Sequence, residues 1–104
     1  MIYELRQYSI KYGGDYLSLF KEYVVPHLEE CGFKLLGAWM TYIGSGVRSD
    51  FFWLLQWEGL AQREAANDKL RAQPWYGEFG KLGSPHIAAN EIRFLEPLDF
   101  SPLA

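Results

Sequence analysis

The chain has 104 residues, the length of one domain, and a domain of this size buries about 65% of its unfolded surface. Its 10 basic and 13 acidic residues give a net charge of −3 with no run of Lys or Arg, which argues against nucleic acid or an anionic membrane as a partner. The 17% aromatic content indicates large side chains that fill a core or line a cavity. We expect one domain over residues 1–104.

The location of the protein follows from what the sequence lacks. The single cysteine, Cys31, excludes an intrachain disulfide and fits a reducing compartment. Met1 leads directly into an apolar strand pattern with no basic segment, so we expect no signal peptide. The longest uncharged stretch, 35–47, contains three glycines and is shorter than the roughly 20 apolar residues of a membrane helix. These features predict a soluble cytoplasmic protein.

The first two predicted elements are a strand and a long helix. Residues 2–10 are rich in Ile, Tyr and Leu and end before a glycine turn, which predicts a strand. Asp15 is a good N-cap for a helix over 15–31, in which Pro26 predicts a bend and after which Gly32 predicts the end. Its apolar residues form one stripe: Tyr16, Leu17, Phe20, Tyr23, Val24, His27, Leu28 and Cys31.

The rest of the chain predicts, in order, a strand over 33–43, a hairpin loop over 44–50, a strand over 51–58, an Ala-rich helix over 60–72, a short helix that starts at Pro74 and ends at Gly83, and a strand over 90–96. The element order is strand, helix, strand, strand, helix, strand. In one α+β domain this order is typical of the ferredoxin-like βαββαβ fold with an antiparallel sheet.

The strand over 51–58 is apolar on both faces. Its odd positions from 51 to 57 carry Phe, Trp, Leu and Trp, and its even positions carry Phe, Leu and Gln. An antiparallel sheet in a small monomer normally leaves one face in water, so two apolar faces require two covers. The helices provide one cover, and a second copy of the chain is the simplest other. The pattern therefore predicts a homodimer.

Four stretches in this order resemble the NIPSNAP family: MIYELRQY at 1–8, GFKLLGAW at 32–39, QPW at 73–75 and EIRFLEPLDFSPL at 91–103. The resemblance spans nearly the whole chain. It implies a homodimeric α/β barrel built from two four-stranded sheets. The family has no agreed reaction, and related barrels include monooxygenases that act without metal or flavin, haem-degrading enzymes, isomerases and small stress proteins. A function therefore does not follow from the fold.

His27 is the most interesting titratable residue, because its place in the apolar stripe predicts that it points at the sheet. It could serve as a proton shuttle, a hydrogen-bond donor to a ligand or an axial haem ligand. The alternative is a core histidine bonded to a tyrosine or a backbone carbonyl, which is the commoner case. Cys31 lies on the same face, but structural zinc needs four ligands and only His86 remains as a further imidazole. We expect no metal site.

Aromatic and charged strand residues complete the set of candidates. Tryptophans and tyrosines could line a pocket for a flat apolar molecule, or they could fill the core and the dimer interface. Glu4 and Arg6 share one strand face, as do Gln56 and Glu58; if these faces meet, the cluster could bind a carboxylate or simply fix the register. The candidates for a ligand pocket are His27, Arg6, Tyr8, Trp39, Trp53 and Trp57.

We thus expect a NIPSNAP-like homodimer that binds a small apolar or aromatic molecule between its sheet and helices without a cofactor. One alternative is a cofactor-independent monooxygenase or isomerase, which requires a cavity containing a titratable group with a shifted pKa. Another is a structural or protein-interaction module, which predicts a filled core and exposed apolar patches on the helices. The sequence leaves open whether the protein is an enzyme.

Overall fold

The computed structural model of the protein describes residues 1–11, 14–44 and 49–103. Four strands are present in this part of the chain: β1 (Ile2–Ile10), β2 (Lys34–Met40), β3 (Ser49–Trp57) and β4 (Ile87–Leu95). The α-helices are α1 (Gly14–Leu19), α2 (Leu60–Arg71) and α3 (Tyr76–Gly83). No helix within these ranges is both long enough and apolar enough to span a membrane.

The strands form one antiparallel sheet in the order β2-β3-β1-β4. Strand β1 lies in the interior of the sheet, where it pairs with β3 on one side and with β4 on the other. The order and the α+β composition confirm the predicted ferredoxin-like arrangement. Strands β2 and β4 are the two edges of the sheet.

The register gives each sheet face a distinct environment. Phe51, Trp53, Leu55 and Trp57 of β3 are at most 4% exposed and belong to the core cluster formed with the helices. The alternate residues of β3 point to the outer face and are partly exposed. On β1 the register places Glu4, Arg6 and Tyr8 on the helix side, opposite Leu55, Trp53 and Phe51 respectively. This register brings charged and aromatic side chains together beneath the helices.

The first helical segment differs from the continuous helix predicted over 15–31. After α1 it continues as a π-helical turn (Phe20–Val24) and a 3₁₀ turn (Val25–His27). Pro26 lacks an N–H, and in an α-helix its ring would clash with the carbonyl of Glu22 four residues earlier, so the helix changes its winding at this point.

Gly32 ends this segment as predicted. It has a φ of 94°, and its N–H donates to the Glu29 carbonyl at 3.0 Å. The Phe33 N–H donates to the Leu28 carbonyl at 2.9 Å. The two bonds form a Schellman motif, in which the left-handed residue is normally a glycine.

Other boundaries also shift. Strand β2 ends at Met40 instead of residue 43, and β4 begins at Ile87 instead of residue 90. The latter extends because Ile10 pairs with Ile87 across a bulge in the ladder. Helix α3 begins two residues after Pro74, which lies in a turn closed by the Tyr76 N–H and the Gln73 carbonyl at 3.1 Å. Most of the predicted hairpin loop, residues 45–48, lies outside the described residues.

Candidate functional site

A cleft on the helix side of the sheet is the candidate site. It has a volume of about 370 Å³, within the usual range for small-molecule sites. Strand β1, helices α1 and α3, and strand β4 all contribute to its wall, which consists of Tyr8, Tyr16, Tyr76, Phe79, Gly80, Gly83, Ser84, Ile87 and Asn90. Aromatic rings thus surround the space, and several hydroxyl and amide groups offer it hydrogen bonds.

Two other grooves lie at the edge of the sheet and on its outer face. One of about 500 Å³ lies beside edge strand β2, with the charged side chains of Glu29 and Lys34 in its wall. The other, of about 410 Å³, lies where the C-terminal residues 97–103 fold over the outer sheet face, and its wall is largely apolar.

The aromatic walls are held by contacts among their rings. Tyr8 packs edge-on against Tyr16, with ring centroids 6.1 Å apart. Tyr16 in turn contacts Phe79 of α3 at 6.1 Å. Tyr8 also contacts Trp53 in the buried core at 6.2 Å. Edge-to-face ring pairs of this kind stabilise one arrangement of the rings, so the cleft has preformed walls.

Glycines in α3 leave room for the cleft. A Cβ atom built at Gly80 meets no atom within 4 Å, although this residue lines the cleft. A Cβ atom at Gly83 would lie 3.2 Å from Cε1 of Tyr16, so this glycine lets the tyrosine ring approach the helix closely. Glycine inside a helix costs up to about 1 kcal/mol relative to alanine. Glycine at these two positions therefore leaves space for the cleft and for the tyrosine ring, at a cost in helix stability.

A buried charged cluster lies next to the cleft, centred on Glu4, which is 0% exposed. Its Oε1 accepts hydrogen bonds from Nε1 of Trp57 at 2.9 Å and from Nε of Arg63 at 3.0 Å. Its Oε2 accepts from Nε of Arg6 at 2.9 Å and from Nη2 of Arg63 at 3.0 Å. Burial acts to raise the pKa of Glu4, but the bonds and charges of the arginines outweigh it and hold that pKa below its ordinary value.

Arg6 connects this cluster to the cleft. Its guanidinium carbon lies 4.6 Å from the centre of the Trp53 ring, and its Nη2 donates to Oδ1 of Asn67 at 3.3 Å. Burial acts to lower the pKa of Arg6, whereas Tyr8 and Glu4 raise it above its ordinary value. Arg6 therefore stays charged, and it interacts electrostatically with a tyrosine of the cleft wall.

Tyr16 is the cleft residue with the most strongly shifted pKa. Burial raises the pKa of its hydroxyl well above the ordinary tyrosine value, and the neighbouring hydroxyls of Tyr8 and Tyr76 raise it further, although the charge of Arg6 lowers it. The Tyr16 hydroxyl is thus neutral near pH 7 and can donate a hydrogen bond.

The sequence predicts that His27 points at the sheet, but in the structure it does not. Its ring stacks on Trp75, with centroids 5.0 Å apart, and its Nδ1 pairs with Oε1 of Glu30. The side chain is 34% exposed and lines none of the clefts described above. His27 lies at the margin of the stripe, while the next residue, Leu28, is 4% exposed and occupies its buried centre.

The other predicted site residues divide between two faces. Arg6, Tyr8 and Trp53 contact one another on the helix side of the sheet, and of these three Tyr8 lines the cleft. Trp57 is fully buried as a partner of Glu4. Trp39 lies on the outer face, where a Cβ atom at Gly37 would be 2.4 Å from its ring, and it is 52% exposed.

The strand face of Glu4 and Arg6 does not meet that of Gln56 and Glu58, so the conditional cluster of all four side chains does not form. Gln56 pairs with Tyr3 on the outer face, and Glu58 is exposed. The partner that the sequence did not reveal is Arg63 of α2, 59 residues from Glu4 along the chain. No group of three or more His, Cys, Asp or Glu residues suited to a metal ion is found in the part of the chain that the structure describes.

Tyr16 and Tyr76 are the site residues that sequence reasoning missed. Tyr16 was assigned to the apolar stripe, and Tyr76 opens a helix that was considered only for its apolar face. One available signal was the repeated glycine of α3, at residues 77, 80 and 83. A glycine inside a helical pattern often has a packing or functional reason.

Comparison with known proteins assigns the family. The NIPSNAP family model matches residues 3–102. The chain belongs to the NIPSNAP family. None of the curated proteins matches it. The family membership agrees with the resemblance found in the sequence.

Solved structures of NIPSNAP proteins share this architecture. A NIPSNAP family protein from Agrobacterium tumefaciens is 30% identical, with a TM-score of 0.83 over 99% of this chain and 90% of that one. An uncharacterised NIPSNAP domain protein from Burkholderia xenovorans is 24% identical, with a TM-score of 0.84 over 98% and 99% of the two chains. An antibiotic biosynthesis monooxygenase is more distant, at 17% identity and a TM-score of 0.61 over 94% and 99%. At that identity the likeness concerns the fold alone.

Proposed function

We propose that this NIPSNAP protein binds a small aromatic molecule in the cleft between the sheet and helix α3. The observation that carries the proposal is the preformed cleft itself, with rings on its walls and an unfilled position at Gly80. A pocket with mostly apolar walls and a few convergent polar groups is the usual form of a ligand site. The raised pKa of Tyr16 adds a titratable group whose environment is unusual.

Gly80→Leu tests the site without removing any wall contact. The added side chain occupies the cleft, and replacing a helical glycine by leucine also favours the helix. Gly77→Leu is the matched control, because a Cβ atom at Gly77 also meets nothing within 4 Å but this residue does not line the cleft. Binding of the two-ring probes 2-naphthamide and 2-naphthoate is followed by protein-observed NMR.

The expected result is binding to the wild type and to Gly77→Leu, with loss in Gly80→Leu. If both probes still bound Gly80→Leu, the ligand site would lie elsewhere. If neither probe bound the wild type, a binding site for two-ring aromatic molecules would be ruled out. Native mass spectrometry of the freshly purified protein gives an independent readout, because a ligand held through purification adds its own mass.

We also propose that the working form is a homodimer in which a second copy covers the outer sheet face. Support comes from the apolar surface there: Trp39 is 52% exposed and Leu95 is 42% exposed. The C-terminal residues beside them are more exposed still, reaching 79% at Phe100. Removing such side chains from water is the main favourable term in association. We also propose that the protein is cytoplasmic, because its single thiol fits a reducing compartment.

A second candidate function is a monooxygenase or isomerase that works without a cofactor. It is favoured by one observation, the buried and neutral Tyr16 hydroxyl in a cleft large enough for a substrate. Any molecule that purifies with the protein is the first substrate to test, with oxygen uptake measured by electrode and isomerisation by NMR. Turnover that persists in Gly80→Leu would exclude this cleft as the active site.

A further inference from the structure

The charged cluster beside the cleft has one more positive than negative charge. Glu4 forms ion pairs with both Arg6 and Arg63, at 2.9 and 3.0 Å. No other carboxylate within the described ranges pairs with either arginine, and the remaining partner of Arg6, Asn67, is neutral. Two guanidinium groups and one carboxylate leave a net charge of +1. The Arg6 side chain is 10% exposed and that of Arg63 is 27% exposed, so much of this charge lies away from water and an incoming anion would be stabilised beside it.

Arg6 does not line the cleft but lies behind one residue of its wall, Tyr8. Arg6 is 8% exposed, and it lies two residues before Tyr8 on the same helix-facing side of β1. It interacts with the side chain of Tyr8, and its charge also influences Tyr16, so its field extends to two residues of the cleft wall. Low-dielectric surroundings strengthen such a field. An anion in the cleft would therefore be attracted toward Tyr8, the wall residue that interacts with Arg6.

The cleft wall offers several hydrogen-bond donors to an anion. The hydroxyls of Tyr8, Tyr16 and Tyr76 can each donate to a ligand. Trp53 lies behind this wall, where its ring contacts both Arg6 and Tyr8, and it does not line the cleft. An anionic oxygen accepts several hydrogen bonds at once.

We propose that the ligand of this cleft is a planar aromatic monoanion, with a carboxylate or an ionised enol or phenol directed toward Arg6 and Tyr8. This inference rests on the proposed function and narrows the ligand to one charge class. The volume of 370 Å³ is more than twice the roughly 150 Å³ cavity that holds benzene, so two fused rings fit. Phe79 and Tyr76 supply aromatic walls for those rings.

The test compares 2-naphthoate with 2-naphthamide, its neutral counterpart of nearly the same shape. Affinities are measured by isothermal titration calorimetry near pH 7 at low and high salt. We expect 2-naphthoate to bind at least tenfold more tightly than 2-naphthamide at low salt, with the difference shrinking as salt is added. Arg6→Met should remove the preference, whereas Arg6→Lys should retain part of it.

Tyr76→Phe serves as the second variant, because it keeps the ring and removes only one partly exposed hydroxyl. It should weaken 2-naphthoate several-fold more than 2-naphthamide. Equal affinities in the wild type, with both lost in Gly80→Leu, would overturn the anion inference while leaving the binding site in place. Absence of binding by both probes would overturn the proposed function and this inference together. Binding of 2-naphthoate that survives Gly80→Leu would place the anion outside the cleft and also overturn the inference.

Discussion

Gly83 at the end of α3 lies against the Tyr16 ring, so closely that a Cβ atom at this position would be 3.2 Å from Cε1. Gly83→Ala should displace the ring and destabilise the protein by about 1 kcal/mol, since overpacking costs about 1–3 kcal/mol and the gain in helix propensity offsets part of it. Urea unfolding measures the change. Gly77→Ala, on an open part of the same helix, should instead stabilise by a few tenths to about 1 kcal/mol. A stabilised Gly83→Ala variant would show that Tyr16 is not held by this contact.

Glu4→Gln should destabilise the protein by about 3–5 kcal/mol, because it leaves two buried or half-buried arginines without their carboxylate. The exposed Glu64 of α2 gives the control Glu64→Gln, for which we expect less than about 0.5 kcal/mol. Urea unfolding at pH 7 provides both values. A small effect of Glu4→Gln would mean that the ion pairs do not contribute to the stability of the fold.

The lowered pKa of Glu4 also predicts how the stability difference between the wild type and Glu4→Gln depends on pH. A carboxyl group with a lowered folded pKa stabilises the protein fully above its unfolded pKa, about 4.3 for Glu, and loses that contribution as pH falls through the folded value. The stability difference between wild type and Glu4→Gln should therefore shrink below about pH 4. A difference that stayed constant down to acid unfolding would contradict the assigned pKa direction.

Tyr16 should remain protonated when exposed tyrosines ionise. Its raised pKa stabilises the folded protein below the ordinary tyrosine value, and this contribution is lost as pH rises toward the folded value. Ultraviolet absorbance at about pH 11, one unit above the ordinary value, counts the ionised tyrosines. Tyr16→Phe should leave that count unchanged. Tyr42→Phe, which changes a ring that is 95% exposed, should reduce it by one. A lower count in Tyr16→Phe would show that the cleft is more hydrated than the burial of Tyr16 indicates.

The alternation of sheet faces and the end of the first helical segment could be predicted because they depend on local patterns. The alternation from Phe51 to Trp57 correctly placed Trp53 and Trp57 on one buried face, and Gly32 correctly ended the first helical segment. Both signals act within a few residues. The fold class then followed from the order of the elements.

The site could be predicted only in part, because its partners come from distant segments. Arg6 was recognised from the strand face that it shares with Glu4, and Tyr8 from its aromatic ring, whereas Arg63 contacts Glu4 across 59 residues and nothing in the weakly patterned helix singles it out. The predicted orientation of His27 was wrong because its ring stacks on Trp75 and pairs with Glu30 at the margin of the apolar stripe. Long-range side-chain contacts of this kind depend on packing, which a single sequence does not display.

His27→Gln should leave ligand affinity unchanged, because the imidazole contacts Trp75 and Glu30 outside the cleft. Titration of the variant with the naphthyl probes tests this. A stability change below about 1 kcal/mol is expected, since the pair is partly exposed and such pairs contribute little. If the variant folded normally but no longer bound the probes, His27 would have to be part of the ligand site.

The two neighbouring leucines of β3 separate the core from the proposed dimer interface. Leu55 is 0% exposed beneath the helices, so Leu55→Lys should unfold the protein, because a buried lysine has no water or counter-charge to reach. Leu54 lies on the outer face and is partly exposed, so Leu54→Lys should yield a folded monomer that retains its circular dichroism spectrum. Light scattering after size exclusion gives the mass. Ala65→Lys on the exposed side of α2 is the control and should remain dimeric. A folded Leu54→Lys dimer would place the partner copy away from the outer sheet face, and a wild-type monomer would overturn the homodimer proposal.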